Sequence, residues 1–172
     1  MNKAFTKEDG PDEPELVPAR APLPTGTPNY VTARGLDRLR AELARLDGER
    51  AQVDSMAPGV ERSRALAHLV ARRTALEERL ASAVLVDAAQ QPRNEVRFGA
   101  KVTLGSATGI ARAYRIVGVD EAEPPGGYIA FVSPLAKALL GRGVGEEVTV
   151  RTPRGEEEVE ILQIEYEEVE SH

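Results

Sequence analysis

The chain has 172 residues, 41% of them hydrophobic, and a formal net charge of −6. This length allows one or two small domains with modest cores, and the negative charge without any Lys/Arg-rich block argues against autonomous binding of DNA or RNA. Cysteine is absent, which excludes disulfides and thiolate chemistry and fits a reducing compartment. With neither a signal-peptide pattern nor a run of about 18 apolar residues, we expect a cytoplasmic protein that makes no membrane contact.

The first 29 residues are rich in proline and acid. They hold six of the twelve prolines, and residues 8–15 hold five acidic side chains. So few large apolar residues accompany them that folding would not offset the lost conformational entropy. We therefore predict that residues 1–29 form a flexible tail.

Residues 30–87 contain two stretches of heptad spacing on either side of a Pro58-Gly59 break. Thr32 is suited to cap the first helix, and Arg50 and Arg73 each occupy a slot where the apolar spacing skips a residue. The apolar stripes are Leu36, Leu39, Leu43, Leu46 and Val53 in the first stretch and Leu66, Leu69, Leu76, Leu80 and Ala83 in the second. Spacings that alternate between three and four predict two helices that bury these stripes against each other in an antiparallel coiled-coil hairpin. A helix pair packed on the rest of the protein and a coiled-coil dimer are the alternatives.

From about residue 97 the hydrophobic period changes to two, which predicts strands. The stretches are VRFGAKVTL, GIARAYRIVGV, GYIAFV, EEVTVRT and EEVEILQIEY. A short helix interrupts them, with Ser133 as its cap, Pro134 in its first turn and Gly141 just past its end. After a linker at residues 88–96, we therefore expect residues 97–172 to form a small domain with a mostly antiparallel sheet, so that the whole chain is of the α+β class.

The chain offers little material for catalysis. His68 and His172 are its only histidines, so metal binding and histidine-based catalysis are poorly supported. Gly105, Gly109 and Gly118 do not form the loop between a strand and a long helix that binds nucleotides. We therefore predict no catalytic residue, no metal ligand and no cofactor bound by the protein alone, and we favour an interaction protein over an enzyme.

Charge is distributed unevenly along the chain. Residues 32–86 carry ten arginines against eight acidic residues, a balance of +2 in a chain of −6. On the returning arm lie Arg62, Arg64, Arg72 and Arg73. These predict a basic face that approaches an acidic channel or a nucleic acid backbone; the alternative is an ordinary helix surface with ion pairs.

The order of these elements resembles the GreA/GreB family of bacterial transcript-cleavage factors. The resemblance lies in a helical hairpin followed by FGAKVTL, YRIVGVDEAE, VSPLAKALLGRGVGEEVTVRTP and GEEEVEILQIEY. MNKAFTKEDG and LPTGTPNYVTARGLDRLRAEL are similar to the GreB branch. The resemblance implies an FKBP-like C-terminal domain that docks at the secondary channel of RNA polymerase through the region of Ser133 and Pro134. It also implies a finger that enters the channel, where two tip acids help the polymerase hold a catalytic magnesium.

The tip of the hairpin departs from the family pattern. That pattern has an Asp, then Glu-Asn three residues later, then a Tyr, whereas VDSMAPGVERSRALAHL offers only Asp54 and Glu61 beside the turn. Each arm is also about seven residues shorter, a loss of roughly 10 Å of reach. We therefore expect a monomeric factor that binds RNA polymerase, reaches RNA and DNA only through it, and is weak or inactive in cleavage. An active factor that uses Asp54 and Glu61 with the polymerase's magnesium, and an interaction module with another partner, are the alternatives.

Overall fold

A computed structural model of the protein describes residues 20–167. Most of the predicted tail, residues 1–19, therefore lies outside the described residues, as do residues 168–172. Residues 20–29 make contacts that the predicted boundary did not include. Arg20 binds Glu42 and Asp120, and Asn29 begins a strand. Residues 20–29 therefore belong with the folded part of the described chain, although composition assigns them to a tail.

Two long helices form the antiparallel hairpin, as predicted. α1 spans Ala33–Asp54 and α2 spans Val60–Ser82. The Thr32 hydroxyl caps α1 by accepting a hydrogen bond from the Gly35 N–H at 2.9 Å, as expected for this residue type. Apart from Val53 and Leu66, which lie outside it, the predicted stripes meet in one apolar cluster that is separate from the core of the sheet. Its buried members are Val31, Leu39, Leu46, Leu69 and Leu76, and its partly buried members include Leu36, Leu43, Leu80 and Ala83.

The base of the hairpin is joined by a small parallel sheet that the sequence did not predict. β1 (Asn29–Val31) enters α1, β2 (Ala83–Leu85) leaves α2, and the two strands pair in parallel. Ala83 therefore caps the end of α2 instead of extending the helix. Three-residue strands are too short to show a hydrophobic period, so this pair leaves no recognisable signal in the sequence.

The C-terminal domain is a five-stranded, antiparallel-rich sheet with one helix, which confirms the α+β class. Its strands are β3 (Lys101–Ser106), β4 (Ala111–Val117), β5 (Tyr128–Ala130), β6 (Glu147–Thr152) and β7 (Gly155–Glu165). They are arranged in the order β5-β4-β3-β7-β6, and only the β4–β5 pair is parallel. The helix α3 (Pro134–Leu139) lies between β5 and β6 in sequence and buries Ala136 and Leu139 in the core.

Two loops connect the domain to the hairpin. Residues 86–100 follow β2, include a 3₁₀ turn at Ala88–Gln90, and bury Val96 and Phe98 in the core of the sheet. A second 3₁₀ turn, Val119–Glu121, follows β4 and contacts α1. Within residues 20–167, no helix is both long enough and apolar enough to cross a membrane.

Candidate functional site

The hairpin tip is exposed and built from helix ends. α1 ends at Asp54, Ser55 donates its backbone N–H to the carbonyls of Ala51 and Gln52, and α2 begins at Val60 after Gly59. Every residue from Asp54 to Glu61 is exposed to solvent. The tip can therefore reach a partner directly, and its chemistry depends on the few polar side chains placed there.

Asp54 is held by arginines. Its carboxylate lies 3.2 Å from the Arg50 guanidinium one turn earlier and 3.8 Å from that of Arg62 across the turn. Glu61 lies in the first turn of α2, where the helix dipole favours an acid. No group of three or more His, Asp or Glu side chains in the described chain is placed to hold a metal ion. One of the two tip carboxylates, that of Asp54, therefore already has two arginine partners.

The predicted basic face of α2 is largely neutralised by α1. Arg72 binds Glu49 at 2.7 Å, and Arg73 binds both Asp47 on α1 and Glu77 on its own helix, the latter at 2.9 Å. The hydrogen bonds that Arg73 donates to Asp47 and Glu77 raise its pKa. Together with the contact of Arg62 to Asp54, these pairs join the two arms. Among the four predicted arginines, only Arg64 has no ion pair within residues 20–167.

Ser133 and Pro134 begin α3. The Ser133 hydroxyl accepts a hydrogen bond from the Ala136 N–H at 3.2 Å, and Pro134 occupies the first turn, where a missing N–H costs nothing. Pro134 is exposed, whereas Ala136 is fully buried. The structural role of Ser133 as a cap therefore leaves the neighbouring proline free to meet a partner.

A partly buried polar network, which we call the junction, connects the base of the hairpin to the sheet domain. Arg20 binds Glu42 on α1 and Asp120 after β4, each at 2.5 Å. Arg79, only 7% exposed, binds Asp120 at 3.1 Å and also donates to the carbonyl of Ala21. Burial alone would lower the pKa of Arg20. The hydrogen bonds that Arg20 donates to Glu42 and Asp120, and the negative charges of these two residues, outweigh burial, so the pKa is raised.

Glu121 extends the junction to the start of α1. Its carboxylate is 3% exposed, accepts a hydrogen bond from the Thr32 hydroxyl at 2.5 Å, and lies 3.9 Å from Arg34. The guanidinium of Arg34 also lies 4.4 Å from the ring centroid of Tyr128, a cation–π distance. Sequence reasoning missed these residues because Arg20 and Asp120 are separated by 100 positions, and no spacing rule connects such distant side chains.

Comparison with known proteins shows the family. Residues 91–166 match the family model described as "Transcription elongation factor, GreA/GreB, C-term". The chain is 33% identical over 162 residues to the transcription elongation factor GreB of Neisseria meningitidis serogroup A, covering 84% of this chain and 98% of that relative. It is 34% identical over 150 residues to the GreA of Desulfovibrio desulfuricans, covering 79% and 93%.

Among solved structures, a GreA/GreB elongation factor from Nitrosomonas europaea is similar to 80% of this chain and 98% of its own, with a TM-score of 0.41 and 23% identity. The identity and coverage of the sequence relatives decide the assignment, because they extend over both the hairpin and the sheet domain. This chain therefore belongs to the GreA/GreB family of transcription elongation factors.

Proposed function

We propose that this protein binds RNA polymerase at its secondary channel and regulates elongation while supporting transcript cleavage only weakly or not at all. Family membership supports polymerase as the partner, and the polymerase then supplies any catalysis. The restriction on cleavage rests on one observation: the Asp54 carboxylate is shared between Arg50 and Arg62 at the hairpin tip. The two guanidiniums place positive charge beside this carboxylate, and like charge disfavours the approach of a metal ion.

The length of the hairpin supports the same conclusion. The helices contain 22 and 23 residues, so each arm extends roughly 33–35 Å at 1.5 Å per residue. The expected shortfall against the family finger is about two helical turns, or roughly 10 Å. A tip that stops short by this distance cannot place a ligand on a catalytic metal, although the hairpin still fills the outer part of a channel.

The deciding experiment measures RNA cleavage in halted, backtracked polymerase complexes. We expect no stimulation by this protein alone, and we expect it to inhibit an active cleavage factor added in competition. Asp54→Asn with Glu61→Gln should leave that inhibition unchanged, because the tip acids only fill space. Robust cleavage that the double substitution abolishes would instead establish the active factor that uses Asp54 and Glu61.

Docking is tested separately by polymerase affinity. Pro134→Ala should weaken binding at least about fivefold, as expected when a contact worth about 1 kcal/mol is lost at an interface. Pro153→Ala is the matched control, since Pro153 is also an exposed proline and lies in the turn between β6 and β7. Absence of polymerase binding by the unmodified protein would reject the proposal and leave a module with a different partner.

A further inference from the structure

A second basic surface lies on α1, on the helix that the sequence did not single out. Arg38, Glu42 and Arg45 follow each other at spacings of four and three, which places them on one helix face. Arg38 and Arg45 are both exposed, and neither has an ion pair within residues 20–167. We call these three residues the α1 stripe. Its two outer arginines differ from Arg72 and Arg73, whose charges are neutralised by ion pairs across the hairpin.

A groove of about 420 Å³ runs along the α1 stripe. It is lined by Arg38, Leu39, Ala41, Glu42, Arg45 and Asp120. Arg20 binds two of these lining residues, Glu42 and Asp120. Arg20, the first described residue, therefore lies at the groove and contacts Glu42. Glu42 lies between Arg38 and Arg45, neither of which has an ion pair within residues 20–167.

The chain that precedes Arg20 has the complementary charge. Residues 8–19 contain five acidic side chains and no lysine or arginine. Three of these twelve residues are prolines, at positions 11, 14 and 18, and prolines favour an extended chain with about 3.1 Å per residue. Residues 12–19 can thus span up to about 25 Å, whereas Arg38 and Arg45 lie only about 10 Å apart along the helix.

We propose that the acidic segment at residues 8–15 binds the α1 stripe of its own chain. Arg20, five residues after this segment, holds the chain at the groove, so binding is intramolecular and occurs at a high effective concentration. Each exposed pair contributes little by itself and is screened by salt, so the contact is reversible. An acidic partner surface reaches Arg38 and Arg45 only by displacing this segment.

The test uses paramagnetic relaxation in the full chain. The protein has no cysteine, so Ala41→Cys introduces a single site for a nitroxide on the exposed rim of the groove. At about 20 mM salt, tethering and charge together should cause at least about a twofold loss of the Asp9, Asp12 and Glu13 amide signals relative to the reduced label. The signals should recover at about 500 mM salt, where screening is strong.

Charge variants distinguish binding of the acidic segment to the α1 stripe from the closeness that its connection to Arg20 causes by itself. Arg38→Gln with Arg45→Gln should restore the signals at low salt. The matched control is Arg64→Gln with Arg112→Gln, which removes two charges at exposed arginines that have no ion pair in the described chain, and it should change nothing. Equal signal loss with and without Arg38 and Arg45 would overturn the proposal, because the tether alone would then explain it.

A mixing experiment tests whether the acidic segment binds the α1 stripe of its own molecule or that of a second copy. Isotope-enriched protein without the nitroxide is combined with unenriched protein that carries it. Signal loss in this mixture would show binding between two copies and overturn the intramolecular contact. No polymerase is present, so the result does not depend on the proposed function, and either inference can fail without the other.

Discussion

The two ends of the hairpin use the same residue types in opposite ways. At the tip, Asp54 and Arg50 are each 48% exposed and form a pair open to water. At the junction, Glu121, Arg79 and Asp120 are only 3%, 7% and 11% exposed. Exposed pairs contribute little to stability, whereas a charge buried without its partner is costly. The junction therefore fixes the position of the hairpin on the sheet domain. Substitutions at the tip should change the free energy of unfolding only slightly.

The largest expected effect is at the junction. Asp120→Ala removes the carboxylate that forms ion pairs with both Arg20 and Arg79, and leaving a buried guanidinium without its partner should lower the free energy of unfolding by about 3 kcal/mol. Asp54→Ala at the tip should lower it by less than about 1 kcal/mol. Urea unfolding followed by circular dichroism at 222 nm measures both. Equal losses would show that burial does not distinguish the two ends.

Two glycines, Gly118 and Gly48, allow the base of the hairpin to be compared with the exposed part of its arm without changing any charge. A Cβ atom at Gly118 would lie 2.5 Å from the backbone carbonyl oxygen of Tyr30, so Gly118→Ala must displace backbone at the junction and should cost about 2 kcal/mol. A Cβ atom at Gly48, in α1, would meet nothing within 4 Å. Gly48→Ala should therefore stabilise the helix by up to about 1 kcal/mol. Thermal unfolding of the two variants should shift in opposite directions.

Tyr166, after the end of β7, has intermediate burial. Its hydroxyl donates to the Glu95 carbonyl at 2.6 Å and accepts from the Arg97 N–H at 2.9 Å, so Tyr166→Phe should cost about 1 kcal/mol. Burial raises the pKa of Tyr166 above that of an unfolded tyrosine. The stabilisation is thus complete below a pH of about 10 and is lost as pH rises through the raised pKa. Urea titrations from neutral to alkaline pH should show the difference between the two proteins shrinking above that point.

The smallest effect is expected for an ion pair that crosses the hairpin. Arg72 and Glu49 are about one third and two fifths exposed, so their coupling energy should be about 0.5 kcal/mol. A double-mutant cycle with Arg72→Gln and Glu49→Gln measures it directly. Coupling above about 2 kcal/mol would mean that this exposed pair behaves like the junction.

The elements with a long hydrophobic period were predictable from the sequence. The Leu39, Leu46, Leu69 and Leu76 spacing identified both arms and the residues that they bury, and alternation identified the five strands of the sheet. The cap residues Thr32 and Ser133 were also predictable, because a hydroxyl before a helix has few other roles. The local sequence pattern was sufficient to predict an element wherever its stabilising contacts are close in sequence or repeat at a regular spacing.

The partners of charged residues were not predictable in the same way. The sequence showed that the hairpin has more arginines than acidic residues. It did not show that Arg72 and Arg73 form ion pairs with Glu49 and Asp47. Nor did it show that Arg38 and Arg45 have no ion pair within residues 20–167. Which arginine is neutralised depends on the register between the two arms. The junction was hidden for a related reason, since it joins residues from four separate parts of the chain.

The pairing of β1 with β2 has a consequence for how this protein can change. Asn29 and Ala83 are neighbours in one small sheet, so the chain leaves the base of the hairpin and returns to it at the same place. Seven extra residues in each arm would move the tip outward by about 10 Å. The β1–β2 pair and the other contacts at the base of the hairpin would not change. The hairpin can therefore change in length during evolution without any change in the contacts at its base.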